Sequence, residues 1–532
     1  MAIDKTIGGG QPVEDDDYNP DAVADPTKYM RTVAVVSLYE LWSYYLFYNG
    51  DNGGGPNGQF ASLVPAMINK HANANWIAYN ATLKPEDAYP EDAPVIPQVA
   101  FSLLQTALTQ FFAAVVLITL GGLGDYKLYG RTFLFWSTVV SIALHFAFVF
   151  INVNSGQWIL AVILLMICQI SYQMTLSFFF AAFPRLARHM PTVYEKIDAG
   201  CTVREVEEEI AIQRGRISMI STYWSNIGWA VPLLIFTGVI FALNPDPDAN
   251  QVDFTFNANA LLFGIYWLVF AIPYFILDKK RPGPDIPEGV NVYTQGIVQA
   301  REALKLAKYL PQAWWYIVGY FLFVDGLNSS GVIMGNYIQP NFINFNVLKS
   351  NLFSLGQALA SMLGCLVFWK AQIWFKLETK TMLQISNILM MLTYAWGIIG
   401  LFSKTVGYRS YPEFWVYNLG AGFWGAPFWA LMNTYLAELI PTKKAYLFFG
   451  LFGIMTKCSA FVGPLVNFII TSVSRAQDAD YIGFVPCTIL SLIGFIIMQR
   501  TDPVKGRLDV IAYEQKEAEF EAQQKAQKAT SA

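Results

Sequence analysis

Charge is scarce in this chain. Asp, Glu, Lys and Arg make up 14% of its 532 residues, against about 25% in an average soluble protein. Hydrophobic residues reach 54% and aromatics 16%, and the mean hydropathy is +0.36. That balance excludes a soluble multidomain enzyme, a disordered protein and a coiled-coil rod. Neither sign of charge dominates. With 35 Lys and Arg against 39 Asp and Glu, the net charge is −4, so no nucleic-acid partner is indicated.

Cysteine and histidine are scarcer still, at five and three residues. No two cysteines form a CxxC pair, so neither a disulfide framework, a zinc centre nor a redox site is expected. The sequence contains no HExxH, no GxSxG and no phosphate loop; the glycine run that starts at Gly53 lacks the Lys-Ser/Thr that would complete one. No enzyme activity and no cofactor are expected. A secretory leader is also missing from this reading. Residues 1–31 are polar, carry the acidic run Glu14-Asp15-Asp16-Asp17, and lack an apolar core with a small-residue cleavage site. The first membrane span is expected to act as its own insertion signal.

What the chain has in abundance is long apolar runs. A bilayer core of ~30 Å needs about 20 residues of helix. Twelve runs qualify: 34–62, 98–120, 132–151, 157–183, 217–243, 257–277, 312–338, 350–370, 382–402, 413–438, 446–473 and 481–500. The predicted fold is therefore an all-α integral membrane protein with twelve transmembrane helices. A polar segment, 278–311, divides them six plus six. The predicted organisation is a cytosolic tail 1–31, a six-helix half 32–277, a central cytosolic loop 278–311, a second half 312–500 and a cytosolic tail 501–532.

Cytosolic loops carry an excess of Lys and Arg. With twelve spans both termini share a side, and that side holds 28 of the cations. The other side holds six, namely Lys70, Lys84, Lys349, Lys404, Arg409 and Arg475. Both termini are thus predicted to be cytosolic. Asn80-Ala81-Thr82 is a glycosylation sequon on the opposite side, in keeping with that orientation, although such tripeptides also arise by chance. On the cytosolic side, Thr202-Val203-Arg204-Glu205 has the pattern of a capping box and opens a helix with Val203, Val206 and Ile210 on one side. Arg301, Lys305 and Lys308 recur at helical spacing before span seven. Such a stripe suits anionic lipid; the plainer reading, which is preferred, is an ordinary positive-inside loop.

The two halves share a weak repeat. Residues 45–55 (YLFYNGDNGGG) align without gaps to 321–331 (FLFVDGLNSSG), matching at Leu46/Leu322, Phe47/Phe323, Gly50/Gly326, Asn52/Asn328 and Gly55/Gly331. The match falls on the first span of each half, where a parallel duplication would place it, and it predicts that span one continues through its glycines. A six-plus-six duplication of this kind is the architecture of the major facilitator superfamily.

Charge at the bilayer centre costs at least ~2.5–3.5 kcal/mol, so it is seldom there without a role. Asp325 stands at the middle of span seven and Lys457 near the middle of span eleven. Asn49 and Asp51 stand at or beside the position that the repeat equates with Asp325, and Asn328 follows it by three residues. Glu40 lies in the first third of span one. These six are the candidate substrate or coupling residues. His145 is a lone imidazole in span three, expected to be packed rather than functional. The glycines at 50, 53–55, 326 and 331 have two readings: unwound backbone lining a polar cavity, or close helix packing, with Asp325 and Lys457 as a structural pair.

The second half carries a longer series of motifs. Gly425-Ala426-Pro427-Phe428-Trp429-Ala430-Leu431 leads into Ala437-Glu438-Leu439-Ile440-Pro441. Phe448-Phe449-Gly450-Leu451, Thr456-Lys457 and Gly463-Pro464-Leu465 follow, with Asp325-Gly326-Leu327-Asn328 upstream. This series resembles the autophagy-related vacuolar amino-acid effluxers, a fungal branch of the major facilitator superfamily. The segment from Gly121 to Arg131, with Asp125, is similar to the superfamily's loop between spans two and three. The resemblance implies alternating-access export of amino acids from the vacuole lumen to the cytosol after autophagic degradation, by a multi-pass vacuolar membrane protein that works as a monomer. Its partners would be a small-molecule substrate and membrane lipid. Asp325 and Lys457 could supply the acidic and cationic partners that a zwitterion needs. Two other classes stay open: a transporter of a sugar, peptide or other metabolite, and a non-transporting receptor or scaffold.

Overall fold

The structure is a computed structural model. It describes residues 34–56, 98–120, 127–151, 158–243, 252–281, 301, 308–344, 346–441, 445–473, 479–506, 508–510 and 512–513. Within these, some side chains are not described, that of Lys457 among them. The sequon at Asn80 and the loop residue Asp125 lie outside the described residues.

The described residues are helical almost throughout. In chain order the main helices are α1 (Leu38–Gly54), α2 (Gln98–Leu120), α3 (Tyr129–Phe148), α4 (Trp158–Arg188), the short α5 (Pro191–Asp198), α6 (Val203–Leu243) and α7 (Val252–Leu277). There follow α8 (Pro311–Ile333), α9 (Val347–Phe375), α10 (Thr379–Ala395), α11 (Tyr411–Glu438), α12 (Ala445–Val473) and α13 (Phe484–Gln499). Among the described residues, eight helices are long and apolar enough to cross a membrane. Helix α1, with 17 residues, is shorter than that measure requires. Large apolar side chains such as Leu234, Ile272, Leu363 and Ile469 stand exposed along these helices, as lipid-facing residues must.

Local chemistry sets the helix ends. Ser37 caps α1 by accepting the Glu40 amide at 3.2 Å. The predicted capping box opens α6: the Thr202 amide donates to Glu205 Oε2 at 2.8 Å, and the Glu205 amide donates to Thr202 Oγ1 at 3.4 Å. Those bonds and nearby Lys196 hold the Glu205 carboxyl below its ordinary value. The sequence pattern separated this amphipathic segment from span 217–243. The structure joins them into one helix of 41 residues, about 60 Å long at 1.5 Å per residue. Val206, Ile210 and Ile217 are buried with Val193, Tyr194 and Ile197 of α5, so this apolar stripe faces protein rather than lipid.

The chain divides into two compact units, one of residues 1–71, 115–298 and 345–355, the other of 72–114, 299–344 and 356–532. In the first, α1 packs on α6 and α7, α3 on α4 and α7, and α4 on α6. In the second, α8 packs on α12 and α13, and α10 on α11 and α13. Each unit has its own buried core, built in the first around Phe47, Phe179 and Trp267, and in the second around Tyr320, Phe323 and Phe428.

Helix α1 runs through Gly50 and Gly53 to Gly54, as the repeat predicts, and the chain turns extended at Gly55. The glycines do not unwind it. A Cβ on Gly50 would stand 2.5 Å from Phe270 Cβ, one on Gly53 would overlap the Gly228 carbonyl, and one on Gly54 would meet the Phe263 carbonyl at 2.5 Å. In α8, Gly326 lies against the Cys487 carbonyl and Ser491. Of the two readings of these positions, close packing is the one that describes them. A π-helical stretch, Met334–Ile338, follows α8.

Candidate functional site

The candidate residues fall into three places. The first is the middle of α1. Asn49 is buried and ties three helices together: its Nδ2 donates to the Trp224 carbonyl of α6 at 2.8 Å, and its Oδ1 accepts from the Tyr266 hydroxyl of α7 at 2.6 Å. Three residues on, about one helical turn, Asn52 Nδ2 donates to the Ser225 carbonyl at 3.1 Å. Asp51 points elsewhere. It is 0% exposed, and neither carboxylate oxygen makes a well-formed hydrogen bond among the described residues. Its polar neighbours are the hydroxyls of Tyr172 on α4 and Tyr48 on α1.

The second place is the middle of α8. Asp325 is 1% exposed, and its Oδ1 accepts the backbone N–H of Gly463 on α12 at 2.6 Å. Around it, Asn467 Nδ2 donates to the Gly463 carbonyl at 3.1 Å and to Cys487 Sγ at 3.0 Å. Ser329, one turn beyond Asp325, is fully buried beside Gly463. Asn328 is half-buried on the same helix. Lys457 lies on α12, six residues before Gly463, about 9 Å of helix rise; its side chain is outside the described set, and so is any pairing with Asp325.

The third place is the start of α1. Glu40 is 1% exposed and does not face the middle of the helix. Arg281 grips it with both guanidinium nitrogens, Nη1 to Oε1 at 2.5 Å and Nη2 to Oε2 at 2.9 Å, and the Lys279 amide adds a third donor at 3.0 Å. Beside this pair, Arg131 Nε binds Asp278 Oδ2 at 2.7 Å and its Nη2 donates to the Phe275 carbonyl at 2.8 Å. Burial pushes the Asp278 carboxyl above its ordinary value, although Arg131 pulls the other way. A cavity of about 60 Å³ opens among Lys127, Arg131, Tyr274, Asp278, Lys279 and Arg281. His189 closes the group: its Nδ1 lies 2.8 Å from the Tyr194 hydroxyl, and burial, with help from Arg281 and Arg188, lowers its pKa to about 4.

Sequence reasoning counted Arg281 and Lys279 only as loop cations, placed Arg131 in the loop segment that resembles the superfamily's, and passed over Asp278. It missed Tyr172, Tyr266 and Asn467 altogether. The repeat carried one usable signal, because it equates Asn49 with Asp325. His145, expected to be packed, is fully buried, with Nδ1 2.8 Å from the Ser141 carbonyl and its ring edge-on to Trp267.

Long apolar helices that bury carboxyl and carboxamide groups at mid-helix are features expected of a membrane transporter. The chain matches the family described as vacuole effluxer Atg22 like over residues 37–510, and it belongs to that family. It is 21% identical to autophagy-related protein 22 of Coccidioides immitis over 78% of this chain and 74% of that one. With the protein of the same name from Yarrowia lipolytica the identity is 25%, over 49% of this chain and 45% of that one. An MFS-type transporter of Bacillus subtilis, YxiO, is 20% identical over 53% of this chain. Among solved structures, the chain is similar to a D-xylose-proton symporter, with a TM-score of 0.55 and 13% identity over 88% of this chain and 99% of that one. The nucleoside transporter NupG gives a TM-score of 0.52 and 13% identity over 87% and 99%. At that identity the likeness is one of fold, the major-facilitator fold.

Proposed function

We propose that this protein exports amino acids, released by autophagic degradation, from the vacuole lumen to the cytosol by alternating access. The observation that carries the reading is the match to the vacuole effluxer family over residues 37–510. The buried polar positions of α1 and α8 agree with it, since a zwitterion needs acidic and amide partners at membrane depth. The proposed arrangement is twelve spans, six plus six. Its support is the parallel packing of α1 on α6 and α7 and of α8 on α12 and α13. In this proposal both termini are cytosolic, a reading supported by the excess of Lys and Arg in the loops on that side; Asn80, in a sequon on the other side, carries a glycan, and the working unit is a monomer.

Asp325, Lys457, Asn49, Asp51, Asn328 and Glu40 remain the proposed substrate or coupling residues. Asp325 and Asp51 lead because each is buried at mid-helix; Glu40 has the weakest claim, being fully engaged by Arg281. The decisive test is efflux from liposomes holding the purified protein, loaded in turn with amino acids, pentoses and nucleosides. Efflux of amino acids alone supports the proposal. Movement of only the sugar or nucleoside makes the chain a transporter of another solute, and no movement of any of them favours a receptor or scaffold. For the charges, the double variant Asp325→Asn/Lys457→Met is expected to restore abundance lost in either single variant while transport stays lost. Restored transport would make the two a purely structural pair.

A further inference from the structure

The two carboxyls of the mid-helix positions are not alike, and the repeat says which is the additional one. Asp325 aligns with Asn49, and both do one job. Asn49 binds a backbone carbonyl of α6, and Asp325 binds a backbone N–H of α12. Asp51 aligns with Leu327, so the second unit has an apolar side chain where the first has a carboxyl. Asp51 therefore does no work that the duplicated architecture demands.

Its surroundings are unusual for a charge. Both oxygens are sealed from solvent and neither makes a well-formed hydrogen bond among the described residues. From α1 itself it is faced by Tyr48, and from α4 by Tyr172. On α7, Tyr266 is committed to Asn49, and Trp267 stacks edge-on against Tyr172 with ring centroids 5.7 Å apart. On α6, the Ser225 carbonyl accepts from Asn52 and the Gly228 backbone lies against Gly53 and Asn49, the neighbours of Asp51 on α1. On α3, His145 reaches the same aromatic layer, 5.9 Å from Trp267. Among the described residues, no Lys or Arg faces Asp51. Burying a carboxylate away from water and cations, with only tyrosine hydroxyls beside it, is costly, and a proton removes that cost.

We propose that Asp51 is the group that carries a coupling proton through the transport cycle. In the arrangement described here, with both oxygens sealed from solvent, the carboxyl holds the proton. When the cycle opens the site to the other aqueous phase, the proton passes to water and leaves a carboxylate, which the next closure re-protonates from the side it then faces. Asp325, held by the Gly463 amide in the same arrangement, keeps a fixed partner and is not the carrier. This deepens the transport reading above and rests on it.

The test uses the full-length protein in liposomes and separates gradient-driven accumulation from solute counterflow at equal pH. Asp51→Asn keeps the shape and removes the titrating group. The expected result is loss of pH-gradient-driven amino-acid accumulation with counterflow still measurable, while wild type shows both. Accumulation that persists in Asp51→Asn overturns the proposal, as does loss of both activities or a wild type that ignores the pH gradient. Absence of amino-acid counterflow in wild type overturns the transport reading instead. Should Asp51→Asn fail to fold, infrared difference spectra of wild type against Asp325→Asn decide. A pH-dependent protonated-carboxyl band is expected in both proteins. Its absence from wild type, or its loss in Asp325→Asn, overturns the assignment to Asp51.

Discussion

Helices α1 and α8 begin the two units, share a sequence pattern, and use their polar residues differently. At the outer end, Glu40 of α1 is locked to Arg281, whereas the residue that the repeat sets opposite it, Tyr316 of α8, donates its hydroxyl to the Met432 carbonyl at 2.8 Å. At the centre, an amide in α1 stands against a carboxylate in α8, each tied to backbone of a neighbouring helix. One turn-fraction on, a carboxyl in α1 stands against a leucine in α8. Packing sites are common to both helices: Gly50 and Gly326 each admit the helix that closes their own unit, α7 and α13. The two helices thus share the places where they touch their neighbours and differ in where they carry charge.

The largest expected break in this comparison is Arg281→Met. Glu40 is 1% exposed, and the variant leaves it buried without its cation, a loss of about 3–5 kcal/mol. Tyr316→Phe, at the matching place in α8, removes one neutral hydrogen bond and should cost about 1 kcal/mol. Thermal unfolding in detergent measures both, and equal shifts would mean that the Glu40 pair is no stronger than the tyrosine contact. Next in size is overpacking. Gly53→Ala forces a Cβ onto the Gly228 carbonyl and Gly326→Ala forces one onto the Cys487 carbonyl, each costing about 1–3 kcal/mol. Substitution at Gly335, which has open space around it, should leave the melting temperature unchanged. Tyr266→Phe removes the donor to Asn49 and should cost about 1–3 kcal/mol if Asn49 Oδ1 is left dry.

A pH dependence is expected near Glu40. His189 is buried as the neutral ring, with its pKa lowered from 6.5 to about 4. A depressed histidine favours the folded state fully above the unfolded value of 6.5. That contribution is lost as pH falls from 6.5 towards about 4, because the unfolded chain takes up the proton first. His189→Gln should flatten this limb of a stability-against-pH curve and leave the curve above neutrality unchanged. A limb that survives the substitution belongs to another group.

Much of the fold was legible because lipid imposes a one-dimensional rule. Apolar runs of about 20 residues become helices, and the runs at 98–120, 257–277 and 446–473 return as α2, α7 and α12 with small shifts of their ends. The pattern misplaced one boundary. The break read between the capping-box helix and span five does not exist, because Ile210 and Ile217 continue on a buried face through the polar residues between them. The candidate site was legible as residue types and not as partners. Asp51, Asp325 and Asn49 stood out as polar groups in apolar sequence. That Asp325 meets an N–H of Gly463, or that Arg281 reaches Glu40, depends on contacts 138 and 241 residues apart, which no local pattern encodes. The double meaning of glycine was equally beyond the sequence, since hinge and close packing call for the same residue.

Helix α6 has a mechanical consequence. Its apolar part begins at Ile220, so the segment before it is a rigid handle of roughly 25 Å, at 1.5 Å per residue, with α5 fastened along it. A tilt of about 10° in the membrane part would swing the tip by roughly 4 Å, by the same helix rise. Ile212 is 60% exposed on that handle. A spin label or fluorophore at this position turns the helix into a pointer: its distance from a second label on α3 would read out movement of the membrane segment from a place eight residues before the apolar part begins.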